Sequence, residues 1–243
     1  NPGATVTKEV RVDNTGDYAL VARAKWEESW TRTGKKFKAV QTGCPSGGCL
    51  TEKHLVLPLD YDNLLAAGSM MGSGVMIVMD EDDCMVAMAK FYLDFTVEES
   101  CGKCAPCRIG NKRLHEMLQK ITSGNGTIED LERLRNLAGV IKDTALCGLG
   151  QTSPNPVLST MDNFYDEYLA HVKEKRCPSH QCRELTQYFI NPEKCKGCTL
   201  CARMCPVNAI TGDKKVPHVI DPHTCIRCGS CIERCKFGAI YVH

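Results

Sequence analysis

The sequence predicts an α+β chain. Short strands come first, an antiparallel helical bundle follows, and a small cysteine-rich unit closes the chain. Three observations carry this. Apolar and polar residues alternate in short runs through the N-terminal part. Apolar residues at three- and four-residue spacing form stripes between Leu114 and Val172. Near the C-terminus, "KCKGCTLCARMCPVNAI" (194–210) returns thirty residues later as "TCIRCGSCIERCKFGAI" (224–240).

The elements follow in order. In residues 1–33, "VTKEVRV" and "YALVARAKW" alternate and flank the turn signal "DNTGD", which predicts a hairpin. "GKKFKAVQTGCPSGGCLTEKHLV" reads as a strand and a Gly/Pro/Ser loop. A short helix, a glycine-rich turn, a buried strand "VMIVM" (75–79) and the start of a helix come next. In the bundle, Leu114, Met117, Leu118 and Ile121 face one way. Thr127 with Asp130 signals an N-cap. Ile128, Leu131, Leu134, Leu137 and Ile141 line a second helix. After Pro154 and Pro156, a third carries Val157, Met161, Phe164, Tyr168 and Val172. Such stripes are helix–helix core rather than a cofactor box, and together they read as an antiparallel bundle. The charged, irregular segment 173–187 reads as a linker, and each tail repeat is flanked by strand-like pieces, "YFI" and "HVID".

Composition excludes several classes. The 243 residues carry a formal charge of +1, which gives no strong pull toward nucleic acid or anionic membrane. No apolar run reaches the length of a membrane span, and no cleavable leader is visible. Cysteine is the outlier, with 17 residues, 14 of them from Cys101 onward. The count is odd and Cys-x2-Cys recurs, so these read as reduced thiols at metal-ligand spacing, in an oxygen-poor cytoplasm.

Each tail repeat reads C-x2-C-x2-C-x3-C. Three cysteines on one loop cap three irons of a [4Fe–4S] cube, and the fourth ligates the other cube. One cluster is therefore expected on Cys195, Cys198, Cys201 and Cys235, the other on Cys225, Cys228, Cys231 and Cys205. Zinc ribbons are the alternative, but they use paired cysteines without the x3 member. In "ESCGKCAPCRIG", Cys101, Cys104 and Cys107 form an incomplete third set. Its missing ligand is expected to be Cys147, at a helix end in "DTALCGLGQTSPNPV"; a buried structural cysteine is the bland alternative.

The tail resembles bacterial-type two-[4Fe–4S] ferredoxins over about residues 188–243. Pro206 follows the fourth cysteine of the first copy as in that family, while Lys236 stands at the matching place in the second. Its positive charge is expected to favour a reduced cluster. "ESCGKCAPCRIG" and "CGLGQTSPNPV" are similar to the C-terminal part of the NADH-oxidising flavoprotein subunit of respiratory complex I. They are still more similar to the β subunit of NAD(P)-linked, electron-bifurcating [FeFe]-hydrogenases, which carries an appended ferredoxin domain. The resemblance covers about residues 34–243. It implies a partial β-grasp (soluble-ligand-binding-like) domain at 34–95, an iron–sulfur bundle at 96–172 and a ferredoxin domain at 188–243. It also implies partners: a hydrogenase catalytic subunit, a small [2Fe–2S] thioredoxin-like subunit and ferredoxin.

Two departures stand out. The flavin- and NADH-binding domain of that family is not recognisable, since "GSMMGSG" is not G-x-G-x-x-G. FMN and NAD(H) are thus expected only on a missing domain or partner, and the chain reads as a fragment, fusion or split gene. Residues 1–33 do not resemble the start of a β-grasp domain and are similar instead to a hairpin of exported β-sandwich proteins.

Twelve cysteines are assigned in this way, leaving Cys44, Cys49, Cys84, Cys177 and Cys182. "HVKEKRCPSHQC" sets His171, Cys177, His180 and Cys182 close together. A zinc takes four N/S ligands, and Cys84, His171, Cys177 and Cys182 are the expected set; free linker thiols are the alternative. No residue is expected to act as catalytic acid, base or nucleophile, because the clusters carry the chemistry. The leading reading is an electron-transfer subunit of a hydrogenase complex, with the tail on a mobile arm. The diaphorase module of an NAD-dependent formate dehydrogenase or a ferredoxin–NAD reductase uses the same modules. A structural protein with zinc in every site is the reading from another class.

Overall fold

A computed structural model describes residues 12–14, 20–22, 35–43, 45–72 and 74–242. The predicted N-terminal hairpin is present as two short antiparallel strands, β1 (Val12–Asn14) and β2 (Leu20–Ala22), with Val12 opposite Ala22. The rest of segment 1–33 and Cys44 lie outside the described residues.

A three-stranded antiparallel sheet follows, in the order β4-β3-β5. Its centre is β3 (Phe37–Thr42), flanked by β4 (Cys49–Thr51) and β5 (Met76–Asp80). Helix α1 (Tyr61–Ala66) starts at Asp60, whose side chain accepts the backbone N–H of Asn63. Leu64 from this helix joins Phe37, Val40 and Leu50 in a small core. The expectation of a buried strand at 75–79 is corrected here. β5 is an edge strand: Met79 is buried, whereas Met76 and Val78 are nearly half exposed. A short apolar run carries no signal that separates a central strand from a half-covered edge.

The bundle is built from α2 (Met85–Glu98), α3 (Asn111–Thr122), α4 (Ile128–Thr144), α5 (Gly148–Thr152) and α6 (Asn155–Asn163). α2 packs on α3 and α6, and α4 packs on the same two. Leu93, Leu114, Leu118, Ile121, Leu131, Leu134, Ile141, Val157 and Met161 form one core. Thr127 caps α4 through a reciprocal box: its hydroxyl accepts the Asp130 N–H and Asp130 accepts the Thr127 N–H at 2.8 Å. Lys120 pairs with Asp130 at 2.7 Å, which ties the end of α3 to the start of α4.

Two details of the stripes are corrected. Ile128 sits in the first turn of α4 and is 46% exposed, outside the core. The third predicted helix breaks at Phe164 (φ −135°, ψ 37°) into α6 and α7 (Tyr165–Leu169), and a wide turn, Ala170–Glu174, continues it. Beyond the break, Tyr168 turns inward and its hydroxyl meets Thr160 Oγ1 at 2.8 Å, so a buried phenol is satisfied. Segment 173–187 is irregular but docked. Cys177, Cys182, Leu185 and Thr186 are buried, Leu185 packs into the bundle core, and Lys175 Nζ reaches the Gly126 carbonyl.

The tail has two strand pairs, β6 (Tyr188–Ile190) with β9 (Ile240–Val242) and β7 (Ile210–Thr211) with β8 (Val219–Ile220). Helices α8 (Leu200–Met204) and α9 (Ser230–Arg234) complete it. Cys201, Ile210, Ile220 and Ile240 form its small core.

The corrected stripe has a measurable consequence. Leu134→Ala is expected to cost about 2–5 kcal/mol of unfolding free energy, because a fully buried side chain leaves a cavity. Ile128→Ala is expected to cost less than about 1 kcal/mol. Urea denaturation of the two variants checks this; equal losses would place Ile128 in the core.

Candidate metal centres

The tail repeat is a backbone repeat as well as a sequence repeat. Left-handed residues recur at the thirty-residue offset: Gly197 and Arg227, Thr199 and Gly229, Asn208 and Gly238. These turns start each helix and close each loop at the same point. The hydrogen bonds recur too. Cys195 N–H donates to Asn191 O and Cys225 N–H to Asp221 O, both at 3.0 Å. Ala209 N–H donates to Cys205 Sγ and Ala239 N–H to Cys235 Sγ, both at 3.3 Å. The turn around Lys236 keeps the same bonds as the one around Pro206, since none of them needs the N–H that proline lacks.

This doubled loop produces two cavities. One is lined by Cys195, Cys198, Cys201 and Cys235, with Leu200, Phe237 and Ile240 as apolar wall. The other is lined by Cys205, Cys225, Cys228 and Cys231, with Val207, Ile210 and Ile226. Each cavity thus collects one triplet and the fourth cysteine of the opposite repeat. Four soft donors in a nearly apolar pocket, with backbone N–H groups directed at sulfur, suit a [4Fe–4S] cube. Burial pushes the third thiol of each triplet up, Cys231 to about 11, so a metal must displace that proton.

In the bundle, Cys101, Cys104 and Cys107 lie on the approach to α3, and Cys107 sits in a single wide turn, Pro106–Gly110. Cys147 is the N-cap of α5. The two segments meet. The backbone N–H groups of Leu146 and Cys107 hold the Cys104 thiol below the usual thiol range. Gly150 packs so closely that a Cβ there would lie 2.6 Å from Ala145 Cβ and 3.2 Å from Cys107 Cβ. Cys107 is buried, while Cys101 and Cys147 are exposed. Its sulfur also meets two side chains that the cysteine spacing gave no reason to single out: Ser100 Oγ at 3.2 Å and Asn111 Nδ2 at 3.5 Å. Asn111 lies four residues beyond Cys107, one helical turn, and that spacing was the signal available.

A fourth group lies between sheet and bundle. The ligand atoms of Cys84, His171, Cys177 and Cys182 all lie within 4.8 Å of one another, and all four residues are buried. Cys84 is the N-cap of α2, and His171 lies in the turn after α7. His171 Nε2 is 3.4 Å from Cys84 Sγ and 3.3 Å from Cys182 Sγ. Its Nδ1–H donates to the Glu167 carbonyl at 2.7 Å, which fixes the ring and turns Nε2 toward the sulfurs. Burial opposes charge on His171, yet hydrogen bonds with Cys177 and Cys84 push it up to about 10. Hydrogen bonds from Cys182 and Cys84 pull the Cys177 thiol down. Three thiols and one oriented imidazole form a donor set that suits tetrahedral zinc. His180, the other histidine nearby, is exposed and outside the set.

Of the remaining cysteines, Cys49 is buried in β4, and burial, with Glu167 next, pushes its thiol up to about 12. It packs as a neutral side chain. No helix among the described residues is long and apolar enough to cross a membrane.

Comparison with known proteins agrees with this layout. Residues 87–171 match the family described as the NADH-ubiquinone oxidoreductase-F iron-sulfur binding region, and residues 194–239 match the 4Fe-4S dicluster domain. The chain is 62% identical over 207 residues to the NADP-reducing hydrogenase subunit HndC of Solidesulfovibrio fructosivorans, covering 85% of this chain and 42% of that protein. It is 39% identical over 147 residues to the F-type subunit of the NADH-quinone oxidoreductase of Mycobacterium tuberculosis, covering 60% and 33%. A crystal structure of an NAD+-reducing [NiFe]-hydrogenase superposes with a TM-score of 0.52 at 30% identity, covering 57% of this chain and 24% of that one. The chain therefore spans about two fifths of the length of HndC and less of the others. These matches bear out the resemblance to the F-type flavoprotein subunit and its hydrogenase-linked relatives.

Close packing at Gly150 makes the middle site sensitive to one methyl group. Gly150→Ala is expected to lower iron incorporation at Cys101, Cys104, Cys107 and Cys147 and to destabilise the fold by about 1–3 kcal/mol. Gly148→Ala, where a Cβ meets nothing within 4 Å, is expected to do neither. Iron analysis and melting curves of the two anaerobically purified variants decide this.

Proposed function

We propose that this chain is an iron–sulfur electron-transfer subunit of an NAD(P)-linked, electron-bifurcating hydrogenase complex. The observation that carries the reading is the pair of tail cavities, each lined by a cysteine triplet and the opposite repeat's fourth cysteine. The 62% identity to a subunit of an NADP-reducing hydrogenase supports the choice of enzyme over a formate dehydrogenase or a ferredoxin–NAD reductase.

In this proposal Cys101, Cys104, Cys107 and Cys147 hold one [4Fe–4S] cluster. Cys195, Cys198, Cys201 and Cys235 hold a second, and Cys205, Cys225, Cys228 and Cys231 a third. Bound there, such clusters supply one-electron carriage between flavin or NAD(H), ferredoxin and a hydrogenase catalytic subunit. The protein's own residues do the rest. Backbone N–H groups at Ala209, Arg227 and Ala239 donate to cysteine sulfurs at 3.3–3.4 Å and favour the thiolate form. Leu200, Phe237 and Ile240 supply apolar wall to one cavity. FMN and NAD(H) belong to another domain or partner, alongside a small [2Fe–2S] subunit. Cytoplasmic, oxygen-poor surroundings fit seventeen reduced cysteines.

The sheet β4-β3-β5 with α1 reads as part of a β-grasp domain. A zinc on Cys84, His171, Cys177 and Cys182 then clamps the segment leading to the tail against that sheet and the bundle. Since segment 173–187 is itself docked, movement of the tail belongs to the chain after Thr186 rather than to the whole linker.

Anaerobic reconstitution tests this reading. The expected product is brown, holds about twelve irons per chain as three cubes of four, and bleaches with dithionite. Zinc is expected at about one per chain and to fall to near zero in Cys84→Ser. A colourless protein with zinc in every site would overturn the electron-transfer reading.

A further inference from the structure

Asn111 is fully buried, and so is Ser153. A buried amide is costly unless both of its ends are paired. Here both are. Asn111 Oδ1 accepts from Ser153 Oγ at 2.8 Å, and Nδ2 donates to Cys107 Sγ at 3.5 Å. The Ser153 hydroxyl also lies 2.9 Å from the Gly150 carbonyl. The opposite amide orientation would turn Oδ1, which can only accept, toward the Cys107 sulfur and withdraw that donor. The amide thus presents its donor end to the Cys107 sulfur.

The chain path adds to this. Asn111 opens α3 directly after the turn that carries Cys107, and Ser153 closes α5, whose N-cap is Cys147. One hydrogen bond therefore spans the two segments that supply the middle site. Cys205, Cys225 and Cys235 in the tail receive backbone N–H donors, which no side-chain truncation removes. Cys107 instead meets two side chains, the Asn111 amide, which donates, and the Ser100 hydroxyl.

We propose that Asn111, held in orientation by Ser153, is a positioning residue that sets the reduction potential of the cluster on Cys101, Cys104, Cys107 and Cys147. This rests on the assignment of a cluster to those four cysteines. Hydrogen bonds to a cluster sulfur stabilise the more negative, reduced state and raise the potential. Removing the Asn111 donor lowers it.

The test is an EPR-monitored redox titration of the reconstituted full chain, with iron analysis on every variant. Asn111→Leu is expected to shift the reduced-to-oxidised ratio of one cluster about tenfold toward the oxidised form at fixed potential, about 59 mV for one electron. Asn111→Asp, which keeps the shape and loses the donor, is expected to shift it at least as far. Ser153→Ala is expected to shift it in the same direction by less. Asparagine labelled with 15N on its side chain is expected to give a nitrogen coupling in pulsed EPR of wild type that disappears in Asn111→Leu. If Asn111→Leu fails to assemble, Asn111→Asp and Ser153→Ala decide. Full iron content with unmoved potentials and no nitrogen coupling would overturn the inference. About eight irons per wild-type chain, two cubes only, would instead sink the cluster assignment beneath it.

Discussion

One constraint organises the molecule: a triplet of cysteines on a tight loop cannot close a four-ligand site alone. The fourth ligand has to arrive from elsewhere in the chain. In the tail the opposite repeat contributes the fourth cysteine of each cavity, so neither copy lines one by itself. The matched left-handed turns at Gly197/Arg227 and Asn208/Gly238 give both loops the same shape. In the bundle, α4 carries the chain across the core and brings the start of α5 to the cysteine loop, with the Leu146 N–H at Cys104 and Gly150 against Cys107. The buried stripe of Leu131, Leu134 and Ile141 fixes where the two meet. Core packing and site assembly are thus one requirement.

The second joint is electrostatic. Lys38 from β3 pairs with Glu167 from α7 at 2.6 Å, with both side chains mostly buried. The other Glu167 oxygen accepts the backbone N–H of Met85, the first residue of α2, and its carbonyl orients His171. Sheet, bundle and the Cys84–His171–Cys177–Cys182 set therefore share one residue. Losing one partner of such a pair leaves a buried charge, at a cost of about 3–5 kcal/mol. The break at Phe164 makes this possible, because it re-aims the segment that carries Glu167, Tyr168 and His171.

Much of this was legible in the sequence where chemistry restricts spacing. The tail repeat marks itself, and His171, Cys177 and Cys182 lie close along the chain. Cys84 comes from almost ninety residues away, and only the shortage of a fourth donor pointed to it. Elements set by tertiary contacts were less legible. The apolar run of β5 reads the same whether it is central or at an edge. Nothing in the residues around Phe164 forbids a continuous helix; the break follows from partners on other elements. The short helix α5 is too brief to show periodicity. Asn111 and Ser153 are ordinary polar residues until the fold buries them on either side of Cys107.

Anomalous diffraction from crystals of the anaerobically purified chain, measured at the iron and zinc edges, tests the central claim most directly. Iron peaks are expected among Cys101, Cys104, Cys107 and Cys147, among Cys195, Cys198, Cys201 and Cys235, and among Cys205, Cys225, Cys228 and Cys231. A zinc-edge peak is expected between Cys84, His171, Cys177 and Cys182, with no iron there. Iron held within one tail repeat alone, or zinc at the cysteine triplets, would contradict that claim.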